Sequence, residues 1–149
     1  MASRTTDYKL LTLAASAART ASATGTAYDL GAAWRRISVL LNITSSATDA
    51  ADTLDVYVDM STDNNTWVNV IHFSQQAGDG AAATEYATLE PSTPGASVIT
   101  ATANVAAGAV RPAFLGRYIR ARWVIVDSGD ADQSHTFSVT AFAVPDFPG

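Results

Sequence analysis

The sequence has no cysteine and very few of the long charged side chains that cover soluble helices. Without cysteine, the chain of 149 residues can form no disulfide, no thiol nucleophile and no zinc–thiolate site. One lysine and two glutamates stand against eight arginines and twelve aspartates. Because Lys and Glu are preferred on exposed helix surfaces, their scarcity argues against a helix bundle.

Positive charge and long apolar runs are also scarce. The net charge of −5 at pH 7 argues against nucleic acid as the main ligand, because phosphate binding needs a basic surface. No apolar run approaches the ~20 residues that span a bilayer. We therefore expect neither nucleic acid nor a membrane as a partner, and the length indicates a single domain.

Small residues and a period of two dominate what is present. Ala, Thr, Ser and Gly make up 69 of the 149 residues. Apolar and polar residues alternate in four runs, at 37–44, 54–60, 67–73 and 135–142. Such alternation is typical of strands with one buried face. Asp-, Ser-, Asn-, Gly- and Pro-rich turns separate the runs. The pattern predicts an all-β fold, a single antiparallel β-sandwich of jelly-roll type.

Three segments are predicted along the chain. Residues 1–25 are expected to form a first strand at Tyr8 to Leu13 and then an extended N-terminal arm of small residues to Gly25. Residues 26–144 form the β-sandwich domain, and residues 145–149 a C-terminal tail. Within the domain, 35–59 and 118–142 share a layout of strand, acidic loop and strand, so each is predicted to be an antiparallel hairpin.

No catalytic group is predicted. The two histidines, His72 and His135, fall within predicted strands and are expected to be hydrogen-bonded or to face solvent. No G-x-S-x-G nucleophile elbow occurs. Glu85 and Glu90 lie five positions apart on one strand and face opposite sides, so they make no carboxylate pair. We expect a protein that is not an enzyme and has no cofactor.

Two loops are rich in aspartate. One contains Asp49, Asp52 and Asp55, and the other Asp127, Asp130 and Asp132. Clustered carboxylates suit calcium, which takes six to eight oxygen ligands. Neither loop matches the D-x-[DN]-x-[DN]-G pattern. We therefore expect solvated turns and assign no metal, with a cation bound at either loop as the alternative.

Arginine and aromatic residues are concentrated in two short segments. Their members are Trp34, Arg35 and Arg36, and Arg117, Tyr118, Arg120 and Arg122. In the second segment, Tyr118, Arg120 and Arg122 alternate onto one strand face. Because Arg, Tyr and Trp are enriched at interface hot spots, these residues predict a protein–protein contact. The alternative is cross-strand ion pairing with Asp55 and Asp59.

Three motifs resemble the discoidin-like (galactose-binding-like) jelly roll. They are the Y-D-L-G of Tyr28–Gly31, the hairpin of Val58–Trp67 and the G-R-Y-I-R-A-R of Gly116–Arg122. In the hairpin, Asn64 or Asn65 can take the positive φ that glycine usually supplies. The resemblance implies the sandwich fold. It also implies an alternative function, a carbohydrate-binding module that uses Trp34 or Trp67.

A second resemblance is to virion accessory proteins of tailed bacteriophages. It rests on the Ala/Thr/Ser/Gly-rich, Arg-over-Lys composition and on the stretches at 55–70 and 116–144. This resemblance implies a non-enzymatic capsid decoration (cement) protein on the virion surface. Its partners would be the major capsid protein and further copies of itself, with a trimer favoured. A neck or tail accessory protein is the alternative within this class.

The resemblance to virion proteins also implies how the protein is made and attached. The apolar segment Leu10–Ala15 has six residues, shorter than the 7–15 of a signal peptide, so we expect synthesis in the host cytoplasm without secretion. Contact with the shell is expected from the N-terminal arm or from the tail, where Phe147 would be an anchor between Pro145 and Pro148.

Overall fold

A computed structural model of the protein describes residues 8–31, 34–90, 98–101, 103–111, 114, 116–129 and 132–145. These ranges contain strands and no helix. The strands are β1 (Lys9–Arg19), β2 (Ala23–Thr24), β3 (Tyr28–Asp29), β4 (Trp34–Ser45), β5 (Thr53–Ser61), β6 (Val68–His72), β7 (Gln76–Ala77), β8 (Ala83–Leu89), β9 (Ala109–Val110), β10 (Tyr118–Val126) and β11 (His135–Pro145).

The strands form two antiparallel sheets that pack face to face. The four-stranded sheet has the order β1-β11-β4-β8. The seven-stranded sheet has the order β2-β10-β5-β6-β9, with β3 also paired to β10 and β7 to β5. The prediction of an all-β antiparallel sandwich is confirmed, and the jelly-roll connectivity stays a prediction.

The core lies between the sheets and is built from alternate side chains. On β4 and β11 the inward positions are Ile37, Val39, Leu41, Ile43, Phe137, Val139, Ala141 and Ala143. Across the interface they face inward residues of β5 and β10, including Leu54, Val56, Val58, Met60, Ile119 and Trp123. The Trp123 and Phe137 rings meet edge to face, with centroids 5.6 Å apart. Each large side chain buried here contributes about 1.5–3 kcal/mol.

The N-terminal segment is more regular than the sequence predicts. The strand predicted at Tyr8 to Leu13 continues to Arg19 and pairs with β11 along its length, and β2 then pairs with β10. Arg19 holds the end of β1 in place: its guanidinium lies 4.4 Å from the Phe137 ring centroid and donates to the Phe137 carbonyl at 2.7 Å. Residues 9–19 therefore belong to the sheet, where an extended arm was expected to begin after Leu13.

The two predicted hairpins are wrong. In each case the strand before the acidic loop lies in one sheet and the strand after it lies in the other. β4 belongs to the four-stranded sheet and β5 to the seven-stranded sheet, while β10 belongs to the seven-stranded sheet and β11 to the four-stranded sheet. Alternation predicts that one face of each strand is buried. A hairpin and a crossing between sheets both satisfy that requirement, so the pattern alone could not separate them.

The connection between β5 and β6 is the hairpin turn expected from the sequence. Asn64 has φ 59°, the left-handed conformation predicted for Asn64 or Asn65. Asp63 Oδ1 accepts hydrogen bonds from Asn65 N at 2.9 Å, Thr66 N at 2.7 Å and Ser61 Oγ at 2.8 Å. The turn is thus held by one carboxylate oxygen, and ionisation of Asp63 strengthens all three bonds.

The three motifs of the discoidin-like resemblance meet at one corner of the seven-stranded sheet. Leu30 N donates to Arg117 O at 2.8 Å, and Arg117 N donates to Ser61 O at 2.9 Å. A Cβ atom at Gly116 would lie 2.7 Å from Ser61 N, so the close approach of β5 to this segment requires glycine there. These contacts give the motifs a structural role.

We predict that replacing Asp63 by asparagine removes an acid-sensitive part of the stability. The hydrogen bonds from Thr66 N and Asn65 N lower the pKa of Asp63 from 3.8 to about 2. The ionised carboxylate therefore stabilises the folded state above about pH 4, and this stabilisation is lost as the pH falls through about 2. Between these values the melting temperature of the wild type should fall more steeply than that of Asp63→Asn, as measured by circular dichroism. Parallel curves of melting temperature against pH for the wild type and Asp63→Asn would contradict the prediction.

Candidate functional site

The outer face of the seven-stranded sheet carries a layer of buried and half-buried polar side chains. Its members are Asp55, Tyr57 and Asp59 of β5, Asn69 and His72 of β6, and Arg120 and Arg122 of β10. Residues 103–108 run across this face: Val105 N donates to Asn69 Oδ1 at 2.9 Å, and His72 Nδ1 bonds Val105 O at 2.9 Å. This covering segment explains why the outward face of β5 is buried, whereas an outer strand face is usually exposed.

Asp59 is the centre of the layer. Its side chain is buried and accepts from Arg122 Nε at 2.8 Å and from Asn69 Nδ2 at 3.1 Å. Arg120 Nε lies 3.6 Å from the same carboxylate. Asn69 Nδ2 also reaches the carbonyls of Val58 and Ile71, at 3.1 Å and 2.9 Å. Asp59 thus faces two guanidinium groups, which leaves an excess of positive charge around its carboxylate.

A cleft of about 280 Å³ opens beside Asp59. Its lining residues are Asp59, Trp67, Asn69, Ala101, Asn104, Arg120 and Arg122. The Arg120 guanidinium lies 4.1 Å from the Trp67 ring centroid, and that of Arg122 lies 4.0 Å from the Tyr57 centroid. Burial lowers the pKa of Arg120, and its Nε has no hydrogen-bond partner among the described residues. The cleft therefore offers a positively charged donor set beside an aromatic ring.

His72 and Asp55 form a buried pair at the other end of the layer. His72 Nε2 lies 2.8 Å from Asp55 Oδ1, and Gln75 Nε2 donates to Asp55 Oδ2 at 2.8 Å. Because the Val105 carbonyl only accepts, His72 Nδ1 must donate to it. Both ring nitrogens are thus engaged, and the imidazole has no nitrogen left to act as a base towards a substrate.

His135 is fully buried at the start of β11. Its Nδ1 accepts from Ala47 N at 3.4 Å, and burial lowers its pKa against the opposing effect of the Asp52 charge. The expectation of hydrogen-bonded strand histidines is confirmed for both.

The structure separates the predicted interface residues into two groups. Arg117, Tyr118, Arg120 and Arg122 lie on β10 or just before it, while Trp34, Arg35 and Arg36 lie on β4 of the other sheet. Trp34 is only 4% exposed and belongs to the core, so it presents no side chain for a surface contact. Phe147 lies outside the described residues.

Most of the predicted arginines have partners within the chain. Arg117 makes two hydrogen bonds to Asp29, at 2.9 Å and 2.8 Å, which lower the pKa of that carboxyl. Arg36 pairs with Glu90, and Arg35 is exposed. The alternative of cross-strand pairing is confirmed for Asp59, whereas Asp55 pairs with His72.

Sequence reasoning missed Tyr57, Asn69 and Asn104. Tyr57 and Asn69 share a face with Asp59, and that signal was available in the alternation of β5 and β6. Asn104, whose Oδ1 accepts from Arg122 Nη2 at 2.8 Å, lies in a segment without strand patterning, so only its tertiary position reveals it.

Comparison with known proteins finds no protein-family model and no curated protein that matches the chain. Among the described residues, no helix has the length and hydrophobicity that crossing a bilayer requires.

We predict that Asp59 is essential for stability. In Asp59→Asn, Arg120 and Arg122 would lose their shared counter-charge at a position where Asp59 is almost fully buried. Removing one partner of a buried ion pair costs about 3–5 kcal/mol, so urea unfolding should show a loss of roughly 3 kcal/mol.

The matched control is Asp29→Asn, which breaks the exposed Arg117–Asp29 pair. Exposed pairs contribute little because solvent screens them, so this variant should stay close to the wild type. An equal decrease in the free energy of unfolding in Asp59→Asn and Asp29→Asn would contradict the prediction that Asp59 is the more important ion-pair partner for stability.

Proposed function

We propose that this protein is a non-enzymatic structural protein of a bacteriophage virion and acts as a capsid decoration protein. The observation that carries the proposal is an exposed apolar patch on the outer face of the four-stranded sheet. We call it the outer apolar patch and define it by Tyr8, Leu10, Leu40, Tyr86 and Phe142.

Strand register makes the outer apolar patch continuous. Leu10 lies opposite Phe142, and Leu40 lies opposite Tyr86 on the neighbouring strand. The Tyr8 and Phe142 rings have centroids 5.0 Å apart. Leu10 is 75% exposed and Tyr86 77% exposed. A contiguous exposed apolar patch of this kind marks an interaction surface.

The chemistry of the outer apolar patch favours a protein surface as the partner. It contains no charged residue, and Ser38 and Thr140 lie between its apolar side chains. Burial of such a patch depends little on salt, since no ion pair is involved. Because the outer apolar patch is itself uncharged, a partner can approach it closely although the net charge of the chain is −5. These properties are compatible with attachment to the surface of a shell protein.

The polar residues elsewhere support a passive role. His72 has both ring nitrogens engaged, and Asp59 is held by Arg122 and Asn69. Neither group is available to a substrate in the way a general base or nucleophile must be. Stabilisation of an assembled shell needs only that the protein binds the assembled state more tightly than the free subunits.

The proposal places the shell contact on the sheet face instead of the N-terminal arm. Residues 9–19 are paired with β11, so they are not free to reach a partner as an extended segment. Association into a trimer at threefold positions of the capsid remains part of the proposal, as does location on the virion surface.

We predict that the double variant Leu40→Thr, Tyr86→Thr loses attachment. Threonine suits an exposed strand position, so the fold is retained while the apolar contact is removed. Binding to purified particles of the encoding phage that lack the protein should weaken at least roughly 20-fold, the effect of losing one interface hot spot. Cosedimentation measures the binding, and cryo-EM of decorated particles locates the density.

The matched control is Val126→Thr, which removes an exposed apolar side chain from the seven-stranded sheet. This variant should bind like the wild type. Equal binding of the double variant and the wild type would overturn the assignment of the patch. Density confined to the neck or tail would overturn the capsid role.

The second candidate function is a carbohydrate-binding module, which the cleft beside Asp59 favours. Trp67 and polar side chains line it, as in many saccharide sites. Arg120 already covers one face of Trp67, so a neutral sugar cannot stack there. The guanidinium groups of Arg120 and Arg122 instead favour a saccharide that carries a carboxylate or sulfate.

We predict, for this second candidate, binding of acidic saccharides that Arg120→Gln abolishes and that the double variant of the outer apolar patch retains. A glycan array that includes acidic saccharides measures it. Binding with this pattern would replace the decoration proposal, whereas an array without signal would exclude the second candidate.

A further inference from the structure

The two connections that cross between the sheets meet at one end of the sandwich. One joins β4 to β5 and carries Asp49 and Asp52; the other joins β10 to β11 and carries Asp132. Carboxylate oxygens of these three residues lie within 4.8 Å of one another. The sequence placed its acidic residues in two separate loops, and only the crossings between sheets bring the loops together.

Hydrogen bonds hold each carboxylate in place. Ser128 N donates to Asp52 Oδ1 at 2.7 Å, and Ser128 Oγ donates to Asp49 Oδ2 at 3.1 Å. Thr48 Oγ1 donates to Asp132 Oδ2 at 2.7 Å. Each connection thus positions a carboxylate of the other.

These bonds leave buried oxygens without partners. Asp52 is fully buried, yet its Oδ2 has no hydrogen-bond partner among the described residues, and the same holds for the buried Oδ1 of Asp132. A buried carboxylate oxygen without a donor is strongly unfavourable. The orphaned oxygen of Asp52 is an observation separate from the clustering, and it offers an acceptor that a cation or a hydrogen-bond donor can occupy.

No arginine or lysine pairs with these carboxylates in the described part of the chain; His135 is close enough to Asp52 for their charges to interact, but burial lowers the pKa of that imidazole. The ion pairs there involve Asp29, Asp55, Asp59 and Glu90, and none includes Asp49, Asp52 or Asp132. Three ionised carboxylates within 4.8 Å repel one another, and a bound cation or a shared proton relieves that repulsion.

We propose that Asp49, Asp52 and Asp132 bind a calcium ion that joins the two crossing connections. Calcium accepts oxygen ligands at about 2.3–2.6 Å, so ligands up to roughly 5 Å apart can share one ion. Magnesium demands near-octahedral order and usually keeps several of its waters. Carboxylates from two different loops therefore suit the larger and more tolerant ion. The site is independent of the outer apolar patch.

The experiment compares melting temperatures of the full chain in EDTA and in millimolar CaCl2, with MgCl2 and NaCl at matched ionic strength. Near saturation, calcium should raise the melting temperature of the wild type by on the order of 5 °C, and the other salts should do less. Titration calorimetry should give one calcium ion per chain.

The informative variants are Asp52→Asn and Asp132→Asn. Asparagine at 52 keeps an oxygen for the Ser128 bond but removes a ligand charge. Loss of a hydrogen bond to a metal-ligating side chain typically weakens metal affinity about 10- to 100-fold. Loss of a ligand charge should weaken calcium affinity by more than this. In EDTA Asp132→Asn should be at least as stable as the wild type, because one repelling charge is gone. Asp127→Asn, at an exposed site in the same connection, is the control and should respond like the wild type.

Two results would overturn the proposal. One is a wild type whose melting temperature and calorimetry show no response to calcium. The other is an equal response in wild type, Asp52→Asn and Asp132→Asn, because general screening of the net charge would then explain it. If Asp52→Asn fails to fold, Asp132→Asn still decides, since Asp132 is only partly buried.

Discussion

The apolar contact between the two sheets is the interaction on which the rest of the structure depends. Alternate side chains of β4 and β11 meet those of β5 and β10, and nothing in the cysteine-free chain replaces that contact with a covalent link. β1 joins the four-stranded sheet by pairing with β11, and Arg19 secures its end. The apolar residues of the alternating pattern therefore face mainly the interface between the sheets. The residues on the two outer faces are not constrained by this interface, so the composition of the two faces can differ.

The two outer faces differ in kind. The face of the seven-stranded sheet is covered by residues 103–108 and contains a satisfied network around Asp59, Asn69 and Arg122. The face of the four-stranded sheet is exposed among the described residues, uncharged at its centre and apolar. The arginine and aromatic residues of the first face predicted a protein–protein contact in the sequence, yet most of their hydrogen bonds and ion pairs are made within the chain. The second face is the one that a partner would have to cover.

The acidic loops show how sheet crossing creates proximity. Asp49 and Asp132 are far apart in sequence, and each loop alone resembles an ordinary solvated turn. Because both loops pass from one sheet to the other at the same end, their carboxylates converge. The hairpins expected from the sequence would have kept each loop with its own pair of strands. The crossing of both connections between the sheets thus brings the three carboxylates together.

The sequence by itself determined the strands, the buried face of most of them and the turn at Asn64, since these depend on period-two patterning and on local backbone preference. It also indicated that Arg120 and Arg122 share a face and that Asp59 was a candidate partner. Only the tertiary structure decided which sheet each strand joins, that Trp34 is buried, that Asp55 pairs with His72 and that Asn104 reaches Arg122. The physical reason is that alternation specifies burial of a face but not the identity of what covers it. That identity depends on contacts between residues distant in the chain.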